Sequence, residues 1–254
     1  MAIRVSFKDE LNDFLPRVLR GTVIVQPHTG PRSAKDLIES LGVPHVEIAA
    51  ILADGRPVGF DHPVRDEMEI VVYPHPPPGI AEWRALRPPA PADLSFVLDS
   101  HLARLAAYLR MLGFDTWHEA DAQDATIARL SASEDRLLLT RDRGLLMRRE
   151  VIYGYYVRHH LPREQLMEVV QRFGLADRMR PFTRCMKCNG PVLEVAREDV
   201  IDRLPPRTRA LHREFGQCRH CGRIYWKGSH YERMQTLITA VIDRDDHRGM
   251  TGGS

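Results

Sequence analysis

The sequence predicts an α/β protein in three parts: a compact α+β unit, a three-layer α/β/α domain around a parallel sheet, and a small cysteine-bound metal module. Three observations carry this. From Leu94 onward, apolar runs of strand length alternate with stretches of helical spacing. Two of those runs begin with three apolar residues, as strands buried on both faces do: Phe96-Val97-Leu98 is followed by Asp99, and Leu137-Leu138-Leu139 by a hydroxyl, a guanidinium and a carboxylate, Thr140-Arg141-Asp142. All four cysteines fall in two CxxC pairs.

Residues 1–75 form the first part. Ile3–Phe7 alternates like a strand and Thr22–Val25 is β-branched. Ser33 is a helix N-cap candidate and Gly42 a stop, which predicts a helix of about two and a half turns between them. Strands follow at Ile48–Leu52 and Met68–Tyr73. The order strand–strand–helix–strand–strand resembles the β-grasp, ubiquitin-like fold. Gly42–Glu47 and Ile70–Pro74 are similar to the small sulfur carriers of that group. Such carriers act through a free terminal Gly-Gly. Here the unit runs on into His75-Pro76-Pro77-Pro78-Gly79, and Gly252-Gly253 is followed by Ser254. Docking of a protein partner is therefore expected ahead of sulfur transfer.

Residues 76–93 hold many prolines and read as a semi-stiff linker, with a short helix over Ala81–Leu86. In residues 94–180, Leu102, Leu105, Ala106, Leu109 and Leu112 keep helical spacing until Gly113. Asp115–Glu119 is a short strand, Asp124 opens a helix to about Glu134 with Ile127 and Leu130 inward, and Val151–Val157 is a fourth strand. Pro162 starts a helix that Gly174 ends.

In an open parallel sheet, ligands bind beyond the carboxyl ends of the strands, where Asp99 and Asp142 stand. Glu119, Asp121 and Asp124 follow the strand between them. Clustered carboxylates repel unless a cation lies among them, and hard ions such as Mg²⁺ or Mn²⁺ are suited to oxygen donors. Thr140 offers a hydroxyl, and Arg104 lies with His101 and Tyr108 on the helical face away from the apolar stripe. Net charge is only +2, but residues 1–79 hold 8 Lys and Arg against 11 Asp and Glu, so the remainder holds 28 against 23. Arginines crowd around Arg141 and Arg143, around Arg184, and around Arg207. Such runs beside acids favour a polyanionic substrate, because Arg pairs bidentately with phosphate.

Cys185, Cys188, Cys218 and Cys221 suit tetrahedral structural zinc, with a 29-residue insertion looped out between the two pairs. His220 reads as surface rather than ligand. Tyr225-Trp226-Lys227-Gly228-Ser229-His230-Tyr231 interleaves aromatics with cations, which suits either unpaired bases or simple packing over the module. No apolar run approaches the roughly 20 residues of a membrane span, and the first residues are no signal peptide, so a cytoplasmic protein is expected.

Phe96–Asp99, Leu109–Asp115, Leu137–Arg143, Arg184–Asn189, Cys218–Cys221 and Ile224–Tyr231 together resemble the PIN-like RNase family named after the C-terminal region of the Mut-seven exonuclease. The resemblance covers about residues 94–234, and some members carry an N-terminal ubiquitin-like domain. The chain departs from the common family pattern at His101, Ala103, Ala107 and Tyr108. The resemblance implies a PIN-like domain over 94–180, a zinc ribbon over 181–234, and a C-terminal helix and tail over 235–254. It makes Asp99, Asp124 and Asp142 the metal-binding acids for Mg²⁺ or Mn²⁺. Arg104, Thr140, Arg141 and Arg143 are the expected substrate contacts. The expected activity is metal-dependent hydrolysis of RNA, with transfer RNA among the candidate substrates. The competing expectation is a non-catalytic RNA-binding adaptor that uses the zinc ribbon.

Overall fold

The computed structural model describes residues 2–77 and 85–249. In chain order the first elements are β1 (Ala2–Phe7), β2 (Ile24–Pro27), α1 (Ala34–Ser40), β3 (Ala50–Ala53), β4 (Arg56–Val58) and β5 (Glu69–Tyr73). Next come β6 (Phe96–Leu98), α2 (Ala103–Met111), β7 (Thr116–Trp117), α3 (Asp124–Ser133), β8 (Leu137–Thr140), α4 (Arg143–Leu146), β9 (Gly154–Tyr156) and α5 (Pro162–Phe173). The last are β10 (Val192–Val195), α6 (Arg197–Val200), α7 (Pro206–Leu211), β11 (Phe215–Cys218), β12 (Ile224–Trp226) and α8 (Ser229–Gly249). The helix expected over Ala81–Leu86 falls mostly outside the described residues, as does Gly252-Gly253. The chain forms two compact units, residues 1–93 with 123–156, and residues 94–122 with 157–254.

In the first unit a five-stranded sheet has the order β2-β1-β5-β3-β4. Its central pair, β1 and β5, is parallel, with Val5 opposite Ile70, and the other pairs are antiparallel. Ile3, Val5 and Phe7 alternate inward and meet Leu37 and Ile38 of α1 in a shared core. Helix α1 ends at Ser40, with Leu41 as its C-cap, one residue earlier than the Gly42 stop suggests, and its start is as read. The Ser33 hydroxyl accepts from the Asp36 amide at 3.1 Å, and the Asp36 carboxylate accepts from the Ser33 amide at 3.3 Å. The short strand β4 was missed, because Arg56-Pro57-Val58 has no apolar alternation; the Asp54-Gly55 turn, with both residues at positive φ, folds it back on β3.

The same unit contains β8 and β9, paired in parallel with Leu139 opposite Tyr155. All four β8 residues are buried, as the apolar run predicts. Helices α3 and α4 lie against this pair. In α3 Ile127 and Ala128 are buried, while Leu130 is only half-buried.

In the second unit β6 and β7 pair in parallel, Phe96 opposite Thr116. Helix α2 turns Leu105, Ala106 and Leu109 inward and packs on α5, whose Leu166, Val169 and Val170 are buried. Gly113 ends α2 at φ +96°, and a Cβ there would lie 2.2 Å from the Arg180 carbonyl oxygen, so no other residue fits. The cysteine-rich segment forms a three-stranded antiparallel sheet, β10-β11-β12. The insertion between the CxxC pairs is thus not a free loop. It supplies β10, α6 and α7, with Val200 and Leu204 packed on Phe215.

Candidate functional site

The cysteines of β11 and of the two adjoining turns converge. The sulfurs of Cys185, Cys188, Cys218 and Cys221 all lie within 4.8 Å of one another. The Cys185–Cys221 and Cys188–Cys218 sulfur separations are 3.6 Å and 3.4 Å. A tetrahedron with 2.3 Å metal–sulfur bonds has edges of about 3.8 Å, so the set fits one metal ion such as zinc. Among the described residues no second group of three or more Cys, His, Asp or Glu donors comes so close together. The His220 and Cys221 amides point at the Cys218 sulfur at 3.4 Å and 3.5 Å, as N–H donors do around a thiolate. His220 itself is exposed and not among the four ligands.

Burial works against a charged Cys185, but the Tyr225 hydroxyl at 3.0 Å and the Cys188 and Lys187 amides outweigh it and bring the thiol down to about 6. Cys188 goes the other way. Burial and the neighbouring thiols push it up to about 12, because thiolates so close together repel until a cation joins them. Tyr225 is raised by burial and by its bond to Cys185, and so remains a hydroxyl donor.

Sequence reasoning missed what holds this module. Arg110, 6% exposed, sits inside the apolar run Leu109–Leu112. Its Nε donates to the Thr116 carbonyl at 2.9 Å, and its Nη1 donates to the Met186 and Lys187 carbonyls at 3.3 Å and 3.0 Å. Asn189, at φ +66°, accepts from the Thr116 amide at 3.0 Å and donates to Asp115 at 2.9 Å. Arg184 pairs with Asp115 at 3.2 Å and donates to the Asn189 carbonyl. The Leu109–Asp115 and Arg184–Asn189 motifs are therefore the two halves of one interlock. The only sequence signal was a cation within an apolar helical stripe.

The predicted acids each begin a turn or helix. Asp99 is 4% exposed, directly follows β6, and accepts from the His101 amide at 2.9 Å. Asp142, exposed, follows β8 and caps α4 by accepting from the Gly144 amide at 2.7 Å and the Leu145 amide at 3.4 Å. Asp124 is exposed at the first position of α3.

Of the predicted substrate contacts, Thr140 is fully buried and its hydroxyl accepts from the Asp142 amide at 2.9 Å. Arg104 is exposed on α2, and Arg141 is half-buried. The Arg143 guanidinium donates to the Phe14 carbonyl at 2.6 Å, against the N-terminal sheet. The arginine-rich runs are in part structural as well: Arg203 and Arg209 donate to the Gly222 and Leu204 carbonyls.

A family described as the Mut7-C RNAse domain matches residues 94–238, and one described as Mut7-C ubiquitin matches residues 1–78. The two matches cover the PIN-like RNase resemblance and the ubiquitin-like resemblance read from the sequence. No curated protein and no solved structure matches the chain.

Proposed function

The chain belongs to the Mut7-C RNAse domain family, and on that premise we propose that it is a metal-dependent ribonuclease that hydrolyses RNA phosphodiester bonds. The observation that carries this reading is the RNase match over a segment in which Asp99 directly follows one parallel-paired strand and Asp142 stands two residues beyond another. Asp99, Asp124 and Asp142 offer hard oxygen donors, the chemistry that Mg²⁺ or Mn²⁺ takes. Mg²⁺ keeps several waters and needs only one or two carboxylates beside substrate phosphates, so a tight cage of acids is not required. When bound, such an ion lowers the pKa of a bound water and neutralises charge on the phosphate under attack. Asp142 is held in place by the α4 amides that it caps, and the Thr140 hydroxyl fixes the backbone at Asp142. Arg104 and Arg141 steady the RNA backbone in this reading, while Arg143 anchors the loop beside the acid.

We read residues 94–180 as the PIN-like domain, 181–234 as a zinc ribbon and 235–254 as helix and tail. The zinc is structural, since four thiolates leave no open position. Residues 1–75 dock a protein partner, for which edge strand β2 presents exposed Val25, with exposed Val23 just before the strand. No helix among the described residues is long and apolar enough to cross a membrane. Reduced cysteines that hold zinc suit the cytoplasm.

The test is cleavage of labelled single-stranded RNA, transfer RNA and single-stranded DNA with Mn²⁺ or Mg²⁺, comparing wild type with Asp142→Asn. Cleavage of RNA by wild type, reduced roughly 100-fold or more in the variant, is expected, since the removed carboxylate would help to hold the ion that activates the water. Equal cleavage by both overturns the placement of the site. RNA binding without cleavage in either favours the adaptor reading.

A further inference from the structure

The zinc-binding module carries a cavity that the cleavage reading does not use. It has a volume of about 570 Å³ and lies between β12 and the start of α8. Its walls include Trp226 and Tyr231, with Met186 on one side and Arg223, Ser229 and His230 at the rim. Among the described residues no carboxylate lines it. Trp226 is 37% exposed, although a tryptophan serving only as core would be covered. Tyr231 is braced from behind by Phe182, with ring centroids 4.5 Å apart and planes at 35°. Gly228 lets the indole lie close, since a Cβ at that position would be 3.1 Å from the Trp226 Nε1.

A second, smaller cavity of about 300 Å³ shares Trp226 and Tyr231 but is bordered by Glu194 and Glu214 as well as by Arg184 and Lys227. There Lys227 pairs with Glu214 and Arg184 with Asp115, so acids compete with a phosphate for both cations, whereas the lining of the larger cavity, among the described residues, offers Arg223 and His230 and no acid. Flat aromatic faces beside exposed cations, in a space of nucleotide size, match one kind of occupant. Bases stack on such faces whatever their sequence, and the cations meet the phosphates.

We propose that this cavity binds one unpaired nucleotide of single-stranded RNA, its base against Trp226 and Tyr231 and its phosphate at Arg223 and His230. The site rests on the reading that RNA is the substrate. The Tyr225 hydroxyl, bound to the Cys185 sulfur, ties the cavity wall to the metal centre.

The test is fluorescence anisotropy of the full chain, loaded with zinc and without added Mg²⁺ or Mn²⁺, on a fluorescein-labelled ten-nucleotide RNA. Trp226→Ala is expected to weaken binding about 5- to 100-fold, and Trp226→Phe less than about 3-fold, as loss and retention of one stacking face predict. Arg223→Gln, at an exposed position, is expected to lower the salt slope by about one phosphate contact. A duplex of the same sequence should bind more weakly, because its bases are already stacked. Zinc content measured on each variant reports an intact module. Trp226→Ala that keeps its zinc and binds like wild type overturns the proposal, as does equal affinity for the duplex. Failure of cleavage with Mn²⁺ while binding still depends on Trp226 would remove the nuclease reading and leave this site standing.

Discussion

The Arg143 guanidinium donates to the Phe14 carbonyl at 2.6 Å, and its carbon stands 5.4 Å from the centre of the Phe14 ring and 5.9 Å from that of Tyr156. Phe14 and Tyr156 meet edge to face at 5.3 Å. The residue after Asp142 is thus fastened to the N-terminal sheet unit. Two further ties run the same way. Glu47, 2% exposed, accepts from the Tyr156 amide at 2.5 Å, and His45 meets the Val151 carbonyl at 3.1 Å. The ubiquitin-like unit is therefore a buttress for the β8–β9 segment, whatever else it binds.

Arg143→Ala should destabilise the full chain by about 1–3 kcal/mol in urea unfolding, from one charge-assisted hydrogen bond and a partly exposed cation–π contact. Arg143→Lys should recover less than half, because an ammonium lacks the planar fork and stacks poorly. A substrate contact would instead raise KM and leave stability within about 0.5 kcal/mol, the usual range for a surface change.

Metal removal should separate the two kinds of core. Among the described residues, the cysteine module's apolar cluster is Val200, Leu204 and Phe215 with Val195 and Ile224 packed against them, too few to fold by burial alone. A strong chelator should abolish amide protection in β10–β12 while β1 and β5 keep theirs, as read by hydrogen exchange. Arg110→Met should release metal faster, at a stability cost of about 2–4 kcal/mol, since three carbonyls lose their donor. Retained protection after chelation would show that the insertion folds without the ion.

The Asp36 carboxyl lies below its ordinary value of 3.8, held there first by the Ser33 hydroxyl and then by the Ser33 amide. Folding thus favours the charged form. Its stabilisation is complete above about pH 4 and disappears as pH falls through the depressed folded value. Asp36→Asn should therefore be less stable than wild type at pH 6, and the gap should close as pH falls through the depressed folded value. Thermal melts at a series of pH values measure this, and a gap that widened on acidification would contradict the cap.

Local chemistry was enough to read many of the elements, though not β4, β10, α6 or α7. The wholly apolar Leu137–Leu139 run, the Ser33 cap, Gly113, Gly174 and the paired CxxC spacings each act within a few residues, so the sequence alone determined β8, the start of α1, the ends of α2 and α5, and which four cysteines could hold a metal. The motifs that carry the family resemblance were visible in the same way. Only the tertiary structure decided what their polar residues do. Arg143, read as a phosphate contact, reaches Phe14, 129 residues away in sequence. Arg110, a cation within an apolar stripe, binds the first CxxC turn 76 and 77 residues on. A guanidinium serves a phosphate or a backbone carbonyl equally well, because both present oxygen lone pairs. Which of them it meets depends on contacts distant along the chain, and no periodicity or spacing encodes those.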